Sequence, residues 1–247
     1  MIRKIEVEIQ IPEKTHVRYL GNILHGVLME YLPTEMAEFL HNSSSYSPLK
    51  QRIYHINDKL IWEIVSFNEQ LSLQLMTVFN ENQTFYLRQY QKDLKVVSYK
   101  IENIDMQGFV EQYLSTDNPS KFITLKIQTP MSYKTNNTYA IFPDIYNFFR
   151  SIMLQFDNFF SEYQMYDKET LSFMKNNIRI VDYRLKSTRY YLEKVKIPSF
   201  MGEFTLRVEG PEPFLKLIHF LIAFGELSGS GIKTSIGMGK YLVHHRS

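Results

Sequence analysis

The first half of the chain alternates between the hydrophobic periods of strands and helices. Polar and apolar residues alternate over 5–11, and this period of two predicts a half-buried strand. Apolar positions in 17–31 recur at spacings of three and four, which predicts a helix ending before Pro33. The elements predicted next are a hairpin of strands 52–56 and 60–67 around Asn57-Asp58-Lys59, a helix over 70–79 and a strand over 96–104.

The second half repeats this βαββαβ order. It contains predicted strands at 122–128, 178–186, 203–209 and 240–243, and predicted helices at 145–163 and 211–224. Two such units predict an α+β fold of two tandem ferredoxin-like (RRM-like) domains, 1–118 and 119–247, joined in the polar stretch 115–121. A different α+β arrangement stays open, because the boundaries of such units can be chosen in more than one way.

Composition limits the class of protein and its compartment. The 247 residues carry 28 Lys and Arg against 26 Asp and Glu, so a uniform polycation is excluded. Cysteine is absent, which excludes disulfides, thiolate metal sites and a cysteine nucleophile, and fits a reducing cytosol. The start lacks a signal-peptide core, and the most apolar stretch, 214–224, is too short to span a bilayer. We therefore expect a soluble, cytoplasmic protein without membrane contact.

A glycine-rich segment, 229–240, contains four of the ten glycines. Glycine permits positive φ and close backbone approach, and exposed N–H groups can bind an anion, so a phosphate backbone is a predicted partner. The segment has neither the Walker spacing nor the dinucleotide-binding spacing. A flexible hairpin without a ligand is the alternative. The candidate RNA-binding residues are Gly229, Gly231, Lys233, Gly237, Gly239 and Lys240.

Charge is distributed unevenly along the chain. Residues 178–247 carry 11 Lys and Arg against 6 Asp and Glu, a balance of +5, whereas the preceding 177 residues carry 17 against 20, a balance of −3. Cations such as Lys186 and Arg189 alternate there with tyrosines, including Tyr183, a combination that suits RNA. A solvated strand face with amphipathic tyrosines is the alternative.

Together with the region 19–50, the glycine-rich segment makes the chain resemble a known family. That region contains a helix from Tyr19-Leu20 to Tyr31, then Phe39-Leu40-His41, then Tyr46-Ser47-Pro48-Leu49-Lys50. The chain resembles the CRISPR-associated endoribonucleases of the RAMP superfamily that cut precursor CRISPR RNA. Within that superfamily it is similar in its overall features to the enzymes of type III-A systems. The resemblance implies metal-independent cleavage, without a cofactor, through attack by the 2′-hydroxyl, leaving a 2′,3′-cyclic phosphate and a 5′-hydroxyl.

The same resemblance implies a set of catalytic residues. His41 is the first candidate and His25 the second for the proton-transfer steps, Lys50 would stabilise charge at the phosphate, and Tyr46 would position the RNA. Which histidine is acid and which is base stays open. The alternatives are a hydrogen-bonded core side chain for His25, a helix-end side chain for His41 and a strand-edge charge for Lys50.

The expected partners and rival functions follow from the same residues. The main partner is CRISPR repeat RNA, with transient contact to a type III effector complex, and the protein is expected to be a monomer or a homodimer. The sequence lacks His-Glu-x-x-His and a dense carboxylate cluster, so no metal site is predicted. One rival function is a non-catalytic RNA-binding RAMP subunit. The other is a protein-interaction module whose 36 aromatic residues serve interfaces.

Overall fold

The structure is a computed structural model that describes residues 1–17, 20–42, 46–192 and 195–244. It divides into two compact units. Met1–Asp105 form most of the first unit, and Met106–Tyr190 with most of the following chain form the second. The predicted domain ranges, 1–118 and 119–247, differ from these units mainly by one helix at 106–114, and the extent of each independently folding domain stays a prediction.

The first unit is an antiparallel sheet of order β2-β3-β1-β5-β4 with three helices. Asn57 and Asp58 adopt positive φ, as a two-residue hairpin turn requires, and they join β2 to β3. The elements, in chain order, are β1 (Ile2–Gln10), α1 (Leu20–Tyr31), α2 (Thr34–Asn42), β2 (Leu49–Ile56), β3 (Lys59–Ser66), α3 (Glu69–Glu81), β4 (Thr84–Leu87) and β5 (Lys92–Ile104).

The core of the first unit lies between one face of this sheet and its helices. Alternate β1 residues Ile5, Val7 and Ile9 join a buried cluster with apolar side chains of α1 and α3. Trp62 lies in this cluster, and its ring packs edge-to-face on that of Phe79 at 5.4 Å. The charged residues of β1 that lie between these apolar positions point to the opposite face of the sheet. The two sides of β1 therefore have different environments.

The second unit is a four-stranded antiparallel sheet of order β11-β6-β10-β9. Helices α5 and α7 cover one face: Tyr241 of β11 contacts Phe148 of α5 and donates a 2.7 Å hydrogen bond to the Ile222 carbonyl of α7. The elements are α4 (Met106–Leu114), β6 (Phe122–Met131), β7 (Lys134–Thr135), β8 (Thr138–Tyr139), α5 (Ile145–Phe159), α6 (Lys168–Asn177), β9 (Ile178–Leu192), β10 (Val195–Val208), α7 (Glu212–Ser228) and β11 (Tyr241–His244).

Both sheets confirm the predicted α+β fold of two ferredoxin-like βαββαβ units. The elements that the pattern missed are short and bury few residues. Helix α4 has no buried residue, α6 buries only Leu171 and Met174, and β4 has four residues. Across the described ranges, we find no helix with the length and apolar character needed to cross a membrane.

Candidate active site and RNA-binding residues

The predicted catalytic residues lie on two helices of the first unit and on the strand that follows them. Pro33 immediately precedes α2, and its carbonyl accepts hydrogen bonds from the amides of Met36 and Ala37 at 2.9 and 3.0 Å. Gln51 ties β2 to α1, because its Nε2 donates to the Gly21 carbonyl at 2.5 Å. Apolar residues of α1, α2 and β2 share one core, so packing fixes the orientation of the three elements.

His25 is half-buried on α1, directly after the buried Leu24. Its Nδ1 is buried and has no hydrogen-bond partner among the described residues. Burial also lowers the pKa of the imidazole, because desolvation disfavours the charged form. Nδ1 therefore gives no support to the alternative that His25 is a hydrogen-bonded core side chain. At neutral pH this ring is uncharged and can accept a proton.

His41 lies in the last turn of α2 and is exposed. The segment that follows, 43–45, lies outside the described residues. The position suits a side chain that complements the helix C-terminus, as the sequence analysis considered. The imidazole is also accessible to a ligand from solvent, so it can exchange a proton with a bound molecule.

Lys50 is buried in β2 and is only 1% exposed, so it is not a solvated strand-edge charge. Its Nζ lies 5.9 Å from the centroid of the Tyr46 ring, and Tyr46 is half-buried. Burial and, secondarily, the charge of Arg52 lower the pKa of Lys50 well below its ordinary value. An approaching phosphate would oppose both effects and favour the ammonium form.

Next to Lys50 lies a buried ion pair that the sequence analysis missed. Arg52 Nε donates to Glu63 Oε1 at 2.7 Å, and the Tyr54 hydroxyl donates to Glu63 Oε2 at 2.6 Å. Both charged side chains are at most 1% exposed. Lys50, Arg52 and Tyr54 share one strand face, since alternate residues point the same way. The predicted hairpin contained the signal, because a turn at 57–58 places Arg52 opposite Glu63, as observed.

The structure therefore brings the predicted catalytic residues onto three adjacent elements of the first unit. His25 lies on α1, His41 on α2, and Lys50 at the start of β2, with Tyr46 just before it. Within the parts of the chain that the structure describes, three or more His, Asp or Glu side chains do not cluster as a metal site would require. The groups present suit proton transfer and charge stabilisation at a phosphate.

In the second unit, Lys186 and Arg189 are exposed on β9. Strand β9 lies at the end of the sheet order, next to β10. Two further cations of the strand, Arg179 and Arg184, are also exposed. The described part of the basic region thus presents positive charge to solvent along one long strand.

Backbone amides hold the glycine-rich segment in place, and most of them donate to residues outside the segment. Helix α7 ends at Gly229, which has φ 76°, and the Gly229 amide donates to the Gly225 carbonyl at 2.8 Å. The amides of Ser230, Ile232 and Gly239 donate to carbonyls of Gly239, Ser132 and Pro130, each at 3.0 Å, and the Gly231 amide donates to Ser151 Oγ at 2.9 Å. These N–H groups are engaged within the protein. They are therefore not available to a phosphate. The remaining glycine of the segment, Gly237, has φ 112°.

Lys233 and Lys240 have different environments, although both were predicted to contact RNA. Lys240 is 2% exposed, and its Nζ donates to the Glu226 carbonyl at 2.7 Å. Lys233 is exposed and has φ 58°. Of the two ammonium groups, that of Lys233 faces solvent and can meet a phosphate, whereas that of Lys240 holds α7.

Replacing Gly239 by alanine is expected to lower the free energy of unfolding by about 1–3 kcal/mol. The residue has φ 79°, and an added Cβ would lie 2.2 Å from the Ser230 carbonyl oxygen. Urea unfolding would measure the loss. Gly26→Ala is the control, because its Cβ would meet nothing within 4 Å on helix α1, and alanine is favoured there. Equal stability of the two variants would contradict the structural role of Gly239.

Comparison with known proteins identifies the relatives of this chain. The family model for CRISPR-associated endoribonuclease Cas6 matches residues 125–241. Cas6 of Streptococcus thermophilus is 25% identical over 222 residues, which cover 90% of each chain. The chain is similar in sequence to proteins named Cas6. Cas6 of Mycobacterium tuberculosis is 26% identical to it over 242 residues, covering 97% of this chain and 76% of that protein.

Solved structures of Cas6 proteins share the fold of this chain. A Thermus thermophilus Cas6 product complex has a TM-score of 0.79 at 17% identity and covers 99% of this chain and 100% of that one. The family-model match and the sequence relatives confirm the resemblance to the CRISPR repeat-processing endoribonucleases that was inferred from the sequence. The type III-A assignment stays a prediction.

Proposed function

We propose that this protein is an endoribonuclease that cuts CRISPR repeat RNA in precursor transcripts. One observation carries the proposal: an unpaired, neutral His25, an exposed His41 and a buried Lys50 lie on adjacent elements. Relatives named as endoribonucleases align with 90% and 97% of the chain. The alignment supports the activity, and the geometry supports the roles of the residues.

The proposed reaction is an internal transfer at one phosphodiester and needs no metal ion. The 2′-oxygen attacks the adjacent phosphorus, the bond from phosphorus to the 5′-oxygen breaks, and a 2′,3′-cyclic phosphate and a 5′-hydroxyl result. His25 would take the proton from the 2′-hydroxyl, because its lowered pKa keeps it neutral. His41 would give a proton to the departing 5′-oxygen, and Lys50 would stabilise the negative charge of the phosphorane.

We assign binding of the repeat RNA to exposed cations of the second unit and to Tyr46 near the reacting phosphate. Lys186, Arg189 and Lys233 are exposed, and they would contact phosphates. The glycines of the segment 229–240 would act indirectly, by fixing the backbone that presents Lys233. The cytoplasmic location, the contact with a type III effector complex and the oligomeric state stay predictions.

A substrate lacking one oxygen tests the chemistry. Repeat RNA with a single 2′-deoxynucleotide at the cleavage site should bind as tightly as the all-ribose strand and remain uncut. Cleavage of the deoxy strand at the same site would exclude internal attack. Binding of the all-ribose strand without any cleavage would favour the alternative, a non-catalytic RNA-binding RAMP subunit, and an absence of salt-sensitive RNA binding would favour the protein-interaction module.

The cleavage rate should depend on pH in a bell shape. His25 must be unprotonated, so the rate should fall as the pH drops through its pKa, which burial places below the ordinary value of 6.5. Lys50 must be protonated, so the rate should fall again as the pH rises through its pKa, which lies well below 10.5. Single-turnover rates measured across this range should be lower in Lys50→Met at every pH, because the variant lacks the ammonium charge that stabilises the phosphorane. A wild-type rate in that variant would remove Lys50 from the mechanism.

A further inference from the structure

Two exposed aromatic rings form a pair in the second unit. Phe142 and Tyr183 pack edge-to-face, with centroids 5.3 Å apart and planes at 89°. Phe142 is 45% exposed and Tyr183 is 58% exposed. Phe148 and Phe149 of α5 form a similar pair, but those rings are buried in the core. The exposed pair therefore contributes little to the core and presents aromatic surface to solvent.

Anchored backbone holds both rings in place. The short loop that carries Phe142 begins at Ala140, whose amide donates to the Tyr133 carbonyl at 2.9 Å. The loop ends at Asp144, whose carboxylate caps α5 by accepting from the Asn147 amide at 2.7 Å. Tyr183 lies within the 15-residue strand β9. The ring pair is thus positioned before any ligand binds, which reduces the entropy lost on binding.

The apolar surface extends beyond the two rings. Ile141 precedes Phe142 and is 55% exposed. Val181 is 48% exposed and lies on the same strand face as Tyr183, because alternate residues share a face. We call Ile141, Phe142, Val181 and Tyr183 the β9 patch. Clustered exposed apolar side chains of this kind usually mark an interaction site.

The charge around the β9 patch favours a polyanion as its partner. Strand β9 also carries the exposed cations Arg179, Arg184, Lys186 and Arg189, against one acidic residue, Asp182. Arg179 lies on the same strand face as Val181 and Tyr183, whereas Arg184 and Lys186 lie on the other face. A protein or lipid-tail partner would need only the apolar side chains, whereas RNA offers flat bases together with phosphates. Bases stack on aromatic side chains, and neighbouring Lys and Arg hold the backbone.

We propose that the β9 patch is a stacking site for an unpaired base of the RNA, with Arg179, which shares the strand face of Val181 and Tyr183, contacting a flanking phosphate. This inference rests on the proposed function for its ligand class. It adds a positioning site in the second unit to the catalytic residues of the first. A stacked base beside a hairpin or a cleavage point would set the register of the bound strand.

Stacking can be measured with a fluorescent base. The probe is a short single-stranded oligouridine with one central 2-aminopurine, whose emission is quenched when it stacks on an aromatic ring. Wild type should bind the probe and quench it. The double variant F142A/Y183A should bind roughly tenfold more weakly or worse, the loss typical of one stacked base, and should not quench it. Tyr86→Ala is the matched control, because Tyr86 is 46% exposed on β4 of the first unit and should behave as wild type.

A second pair of substitutions separates stacking from packing. F142L/Y183L keeps apolar side chains but removes the flat rings, so it should keep the thermal unfolding temperature of wild type and lose the quench. It also replaces the alanine variant if that variant does not fold. The proposal would be overturned if F142L/Y183L quenched the probe as strongly as wild type does, or if wild type did not bind the probe. Loss of self-association, measured by sedimentation, with RNA binding unchanged, would also overturn it, since that result would show a protein interface.

The outcome is distinguishable from a failure of the proposed function, because the binding assay requires no cleavage. If wild type quenches the probe through Phe142 and Tyr183 but cuts no repeat RNA, the endoribonuclease proposal fails and the stacking site stands. If wild type cuts repeat RNA and F142L/Y183L quenches the probe as wild type does, the stacking site fails and the endoribonuclease proposal stands.

Discussion

Replacing His41 by alanine is expected to abolish cleavage of repeat RNA while leaving RNA binding largely intact. A positioned general acid or base contributes roughly 10²- to 10⁴-fold to a rate, so the single-turnover rate should fall by at least that factor. The side chain is exposed in the last turn of α2 and supports no core contact of that helix, whose buried residues are Met36 and Leu40. The fold and the RNA-binding surface of the second unit should therefore be unchanged.

His55 provides the matched control for this experiment. It is an exposed histidine on β2 of the same unit, so His55→Ala should cut at the wild-type rate. Affinity for the RNA should be measured with the uncut 2′-deoxy strand, so that binding and chemistry are separated. Full-rate cleavage by His41→Ala would remove His41 from the mechanism. Equal loss in His41→Ala and His55→Ala would show that the effect is not specific to the site.

Replacing Glu63 by glutamine is expected to lower the free energy of unfolding by about 3–5 kcal/mol, the usual cost of breaking a buried ion pair. The change removes the carboxylate that pairs with Arg52 at 2.7 Å, and both side chains are almost completely buried. It also weakens the acceptor for the Tyr54 hydroxyl.

Denaturant unfolding measures the loss, and two comparisons show its origin. Glu30→Gln removes an exposed pair with Arg88 and should cost under about 1 kcal/mol. The double variant R52M/E63M should recover much of the loss, because removing both charges leaves neither one buried alone. An unfolding midpoint for Glu63→Gln equal to that of wild type would contradict the buried pair.

Local patterns were sufficient to predict the elements that bury an apolar face. The alternation at 5–11 predicted β1, and Asn57-Asp58-Lys59 predicted the hairpin whose turn has positive φ at its first two positions. Helix α4 was missed although Met106, Phe109, Val110 and Tyr113 recur at helical spacing, because this stripe spans only nine residues. Strand β4, at 84–87, was too short to show a period.

The site was harder to predict, because its environment depends on residues distant in sequence. Lysine is normally a surface residue, yet Lys50 and Lys240 are buried by long-range packing that spacing does not reveal. The amides of the glycine-rich segment were predicted to meet phosphate, but Ile232 and Gly239 donate to the 130–132 backbone, about a hundred residues earlier. The half-burial of His25 follows from the apolar stripe of α1, whereas its unpaired Nδ1 required the structure.

The most direct test of the central claim is incubation of the purified protein with its repeat RNA in excess EDTA, followed by mass analysis of both fragments. We expect one cut, with a 2′,3′-cyclic phosphate on the upstream fragment and a 5′-hydroxyl on the downstream fragment, at the same rate as without EDTA. Cleavage that stops in EDTA, or fragments that end in a 3′-hydroxyl and a 5′-phosphate, would contradict a histidine-driven internal attack.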